Sequence, residues 1–186
     1  MTPYRTLLFA LGLLSAFPLG SRAGDASSAL PEARVVKAAY VYNFTKFVDW
    51  VAEDGVTGRL ATVTICVVGT DPVGSALDEI TKLESKGRPI LVRHIQDRER
   101  IPVCHILYIG SSEEPHLLRI LAQVGSAGVL TVSDIPRFAE QGGMIGFIPE
   151  RGRVRIEINP VPLRRAGLKV SSKLLEIARI VPEGKS

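Results

Sequence analysis

From Ala33 to Val51 apolar residues recur at Val35, Val36, Ala39, Tyr40, Phe44, Phe47 and Val51. Steps of three and four predict a helix with a wide buried face. The period then changes. Ala61–Val68 is an apolar, β-branched run that predicts a buried strand, and Asp71-Pro72 supplies an N-cap and an N1 proline for a helix over Val73–Leu83. Arg88–Ile95 and Cys104–Ile109 predict two further strands, separated by a break at Ile101-Pro102. Ser111 or Ser112 caps a helix over Glu113–Val124, and Val129–Val132 predicts a short buried strand. Strand–helix–strand, twice, predicts right-handed crossovers and a parallel sheet.

The pattern changes again after Asp134. Ile135–Glu140 predicts a one-turn helix. Met144–Pro149 and Arg153–Ile158 flank Glu150-Arg151-Gly152, and the second run alternates polar and apolar without error, so the two predict an antiparallel hairpin. Pro160–Ala166, stopped by Gly167, is a short helix. A last helix capped by Ser171 or Ser172 runs to Ile180. The expected fold class is α/β: a single three-layer domain over residues 33–182, with a largely parallel sheet, a C-terminal antiparallel hairpin and helices on both faces.

The first 23 residues read differently. Arg5 precedes a short apolar run from Thr6 to Phe17, then Pro18 and Gly20, then Ser21-Arg22-Ala23. A basic start, a run too short to span a bilayer and small residues before the cut predict a signal peptide over residues 1–23; the alternative is an uncleaved anchor. Residues 24–32 are small and polar, and read as a flexible leader. Export bears on Cys66 and Cys104, the chain's two cysteines. In an oxidising compartment an even pair suggests a bridge, closing 37 residues; two buried free thiols are the alternative.

Lys plus Arg number 23 against 19 Asp plus Glu, and without Arg5 and Arg22 the excess falls to +2. That balance does not suit a nucleic-acid partner, which wants basic residues massed toward phosphates. Enzyme signatures fail one by one. Gly69 to Ser75 follows a strand and opens a helix but lacks the Gly-Lys-Ser/Thr of a phosphate loop. His94, His105 and His116 have no metal-ligand spacing. No Gly-x-Ser-x-Gly elbow is present. Catalytic residues, metal and cofactor are therefore all expected to be absent. Two features remain. Ser133-Asp134 ends a parallel strand, where open α/β sheets place ligands, with a capped turn as the plainer reading. Arg151, Arg153 and Arg155, with Arg164, Arg165 and Lys169, form a solvated face or a patch for an anion or partner.

Several segments together resemble the YfiR-like periplasmic repressors. They are Lys37-Ala38-Ala39-Tyr40-Val41-Tyr42-Asn43-Phe44-Thr45-Lys46-Phe47-Val48-Asp49-Trp50, Ile65-Cys66-Val67-Val68-Gly69 with Asp71-Pro72, Cys104 to Ile109, Leu130 to Asp134, Gly142 to Phe147, Arg153 to Asn159 and Ala166 to Leu175. The resemblance covers nearly all of the expected mature chain, in order. It implies an exported protein that binds the periplasmic sensor domain of an inner-membrane diguanylate cyclase and holds it inactive, lowering cyclic di-GMP and biofilm formation. An OmpA-like outer-membrane lipoprotein as the sequestering partner and a homodimer are further implications. So are small ligands such as nucleotides or aromatic amino acids, which give the alternative of a periplasmic small-molecule sensor. Residue by residue, Cys66 and Cys104 match the family's disulfide; a second bridge found in some members has no counterpart here. Glu157 matches a motif residue in the partner-binding third, and Ile145 and Leu163 are expected to join it as nearby apolar residues.

Overall fold

A computed structural model describes residues 26–50, 62–70, 73, 75–125 and 127–182. The signal peptide and the Asp71-Pro72 helix start lie outside the described residues. The elements are α1 (Ala26–Phe47), β1 (Val48–Trp50), β2 (Val63–Val68), α2 (Ser75–Ile80), β3 (Glu84–Ser85), β4 (Arg88–Ile95), β5 (Ile106–Ile109), a 3-10 turn (Ser111–His116), α3 (Leu117–Val124), β6 (Leu130–Ser133), β7 (Ile145–Glu150), β8 (Arg153–Ile158), α4 (Pro160–Arg165), β9 (Leu168–Val170), α5 (Ser172–Glu176) and β10 (Arg179–Ile180).

Eight strands form one sheet in the order β10-β8-β7-β6-β5-β2-β4-β3, and β1 pairs with β9 apart from it. β4, β2, β5, β6 and β7 are parallel, while β7–β8 is the antiparallel hairpin. The fold class read from the sequence is thus the one observed. Within this sheet the chain starts at β2, moves one way to β4 through α2 and β3, then jumps back over β2 to β5 and continues the other way through α3.

Alternation along the strands divides the core in two, because successive side chains point to opposite faces. Ile65, Val67, Ile106, Tyr108, Leu130, Val132, Ile145, Ile156 and Ile158 face α1, α2, α4 and α5. Cys66, Val68, Leu107 and Ile109 face α3 and the turn carrying Ile135 and Phe138. On the first side Tyr40 and Phe44 of α1 lie 5.9 and 6.2 Å from the Phe147 ring, so the aromatic residues of the expected helix pack on the core. Fully burying side chains such as Val41 and Phe44 stabilises by about 1.5–3 kcal/mol each.

Several boundaries differ from the sequence reading, each for a tertiary reason. α1 begins at Ala26, inside the segment read as a leader, and ends at Phe47 rather than Val51. Val48 and Trp50 are buried and Asp49 exposed, which suits a strand once β9 lies opposite; Ser171 N donates to Phe47 O at 2.9 Å. α2 stops at Ile80, and the chain makes the small strand β3 before turning through Lys86-Gly87, both at positive φ, into β4. Pro115 keeps the start of the third helix in 3-10 form. The one-turn helix expected over Ile135–Glu140 is a sequence of turns instead, because Arg137 takes φ 58°. The C-terminal helix ends at Glu176, and Arg179–Ile180 adds to β8 as a parallel edge strand.

Candidate functional site

Ser133 ends β6 with Asp134 directly after it, and both make contacts within the fold. The Ser133 hydroxyl donates to Ile109 O at 2.7 Å and accepts from Ile135 N at 3.0 Å, and the residue is fully buried. Asp134 Oδ2 accepts from Lys37 Nζ of α1 at 2.8 Å, an ion pair with little exposure on either side. Its Oδ1 is buried with no hydrogen-bond partner among the described residues. The turn is braced against α1. An open depression of about 460 Å3 lies elsewhere, lined by Glu114 to Arg119 and Gln141.

The place where the winding direction reverses is between the carboxyl ends of β2 and β5, and in open α/β sheets that crevice binds ligands. Here the turns that follow the two strands close on one another. A Cβ on Gly110 would lie 2.1 Å from Thr70 O, so only glycine permits the two turns to approach this closely. Thr70 N donates to Ser112 Oγ at 2.8 Å, and Gly110 N to Val68 O at 2.8 Å. Glu113 follows, buried, with its Oε2 at 3.3 Å from Arg98 Nε and 3.4 Å from His116 Nδ1, neither contact aligned as a hydrogen bond. Arg98 Nη1 is also 2.7 Å from His116 Nδ1. The sequence reading missed this cluster, placing Glu113 only as the first residue of a helix. Gly69 and Gly110, each closing a strand and each followed by a hydroxyl residue, were the available signal.

The three histidines stand apart. His105 is buried; its Nδ1 accepts from Thr64 N at 3.0 Å and its ring meets Trp50 edge-on at 5.5 Å. His94 is exposed on β4, and His116 belongs to the cluster above. No group of three or more potential metal ligands occurs among the described residues. No helix among them is long and apolar enough to cross a membrane.

Cys66 and Cys104 form a disulfide with Cα atoms 6.0 Å apart. Cys104 sits ahead of β5 rather than within it. The bridge pins the β4–β5 connection where it passes over β2.

Ile145, Glu157 and Leu163, expected at a partner contact, are all buried, at 0%, 1% and 4% exposure. Ile145 pairs with Val132 and Ile158 inside the sheet, and Leu163 anchors α4. Glu157 is met by the guanidinium of Arg179 on β10. None of the three offers its side chain to the surface; each supports the C-terminal surface from beneath. The arginines supply that surface. Arg151 and Gly152, at φ 50° and 74°, make the tight turn of the β7–β8 hairpin, and Arg153 and Arg155 project from β8 into solvent, the latter 3.2 Å from Glu150 Oε2.

No curated protein matches the chain. A family model described as YfiR/HmsC-like matches residues 34–179, from within α1 to the first residue of β10. The chain belongs to the YfiR/HmsC-like family.

Proposed function

We propose that this protein is a periplasmic repressor that binds the sensor domain of an inner-membrane diguanylate cyclase and holds the enzyme inactive. The observation that carries the reading is the family match over residues 34–179. At the level of the family this is a periplasmic regulator of diguanylate cyclase, and the family is regulatory rather than catalytic. The disulfide suits an oxidising compartment. Repression is a matter of mass action: the inhibitor must exceed its dissociation constant and prefer the inactive state of the cyclase. On this reading a homodimer and an OmpA-like lipoprotein that draws the repressor away are further expectations. Ile145, Glu157 and Leu163 act by shaping the C-terminal contact surface from below.

The experiment has two arms. Removing the protein from its own cells should raise cyclic di-GMP, and re-expression should lower it. The purified protein should retain a membrane cyclase from solubilised membranes. Unchanged cyclic di-GMP together with no retained cyclase would overturn the proposal.

A further inference from the structure

Positive charge is unevenly distributed along the chain. Residues 151–180 hold eight Lys and Arg against two Glu, a net of +6, whereas the whole chain nets +4. Everything outside this stretch is therefore slightly acidic. Folding sets part of the stretch in a row. Side chains two apart on a strand share a face, so residues 153, 155 and 157 of β8 point to the α3 side, while Ile156 and Ile158 enter the core on the other. The turn after β6 covers that side as far as Gly146 and Glu157. A Cβ on Gly146 would lie 3.7 Å from Phe138 Cβ and 3.8 Å from Glu157 Oε2. Past that point Arg153 and Arg155 are exposed.

At the third place in the row Glu157 is buried, and the charge presented is that of Arg179, its register partner on β10, whose side chain is 62% exposed. A guanidinium has five donors in a planar fork, so an edge of Arg179 is left for a second carboxylate while it neutralises Glu157. Arg153 has no acidic partner among the described residues. Arg155 is held by Glu150 in an exposed pair, of the kind that contributes little and exchanges for an incoming carboxylate. At the backbone Arg153 and Arg155 thus stand about 7 Å apart along β8, two strand residues, and Arg179 continues the row from neighbouring β10. That is also the spacing of alternate side chains in an extended segment, whereas alternate residues on a helix do not share a face.

Resting on the partner reading above, we infer that this arginine row is a docking surface for an extended acidic segment of the partner protein, with Asp or Glu at alternate positions. Arg153, Arg155 and Arg179 bind the carboxylates, and Glu157 is a positioning residue that fixes Arg179 and with it β10. A second copy of the chain is a poor occupant, since two such rows would repel. An anionic lipid surface matches the charge but not the spacing.

The test uses the exported protein and three probes: the sensor domain of an inner-membrane diguanylate cyclase from the same cells, a short oligo-glutamate peptide, and phosphatidylethanolamine vesicles containing phosphatidylglycerol. The variants are Arg153→Glu/Arg155→Glu and, at exposed Arg93 of β4 toward the other end of the sheet, Arg93→Glu as a control for charge reversal away from the row. The expected result is sensor-domain binding that weakens with salt and falls at least about tenfold in the double variant, with Arg93→Glu unaffected and melting temperatures unchanged. Equal loss in both variants, or loss in neither, overturns the inference while leaving the cyclase reading intact. Arginine-dependent capture of oligo-glutamate with no binding to the sensor domain upholds the surface and overturns the cyclase reading. Vesicle binding that needs the same arginines, with no capture of either protein probe, assigns the row to lipid and overturns the inference.

Discussion

Opening the Cys66–Cys104 bridge without altering the sequence isolates what the cross-link contributes. The two cysteines are 38 residues apart. Fixing a loop of that length in the unfolded chain removes entropy worth about 4 kcal/mol at 25 °C on the chain-entropy account. For a chain of this size each kcal/mol moves the melting temperature by about 2–4 °C, so reduction should lower it by about 8–16 °C. Cys66 is fully buried and Cys104 nearly so, so the reductant must be applied in denaturant and the protein refolded with reductant present. Thermal melts followed by circular dichroism then compare oxidised and reduced forms of one sequence, with no change in side-chain volume. Cys66→Ser should fall at least as far, since it also buries a hydroxyl and leaves a lone thiol at Cys104. It should lower repression through the amount of folded protein. A shift of less than about 3 °C on reduction would refute the reasoning. It would mean that packing alone holds the β4–β5 connection on the sheet.

Other positions give sharper local tests. Gly110→Ala places a methyl 2.1 Å from the Thr70 carbonyl, a backbone atom that cannot swing aside; we expect a loss of about 3 kcal/mol in urea unfolding, against less than about 0.5 for an exposed substitution such as Arg93→Ala. Lys37→Ala leaves Asp134 without its cation in a mostly enclosed site. A double-mutant cycle with Asp134→Ala should return a coupling of at least about 1 kcal/mol, and a value under about 0.3 would show that the pair does not brace α1. Glu157→Gln removes the charge that holds Arg179. Amide exchange at Arg179–Val181 should quicken while β5 keeps its protection, and unchanged exchange would mean that the strand pairing holds β10 unaided.

The sequence by itself determined the layers. Apolar runs such as Val63–Val68 and Ile106–Ile109 are buried on both faces, which is why they read as central parallel strands. The strict alternation of Arg153–Ile158, closed by Arg151-Gly152, marked the hairpin in the same way. Local chemistry also marked the helix of Pro160–Ala166 stopped by Gly167, and the structure adds its Asn159 cap, whose side chain accepts from Val161 N at 3.0 Å. These features depend on residues near in the chain, and period and turn chemistry record them.

Only the tertiary structure decided the rest, because each remaining feature depends on a partner far along the chain. Val48-Asp49-Trp50 continues a helical pattern until β9, more than a hundred residues later, offers it a strand. Arg179-Ile180 is too short to be a strand except beside the exposed edge of β8. Ser133-Asp134 closes a parallel strand, and the lysine that pairs with its carboxylate comes from α1, about a hundred residues earlier. Glu157 alternates on its strand as a half-exposed residue should, yet the turn after β6 and Arg179 bury it. Arg98, Glu113 and His116 lie in segments that read separately as a loop, a helix start and a stray histidine, and they become one cluster because β2 and β5 are neighbours. Hydrophobic period fixes which elements form and which face is buried, but long-range pairing decides which polar groups are spent on one another and which are left for a partner.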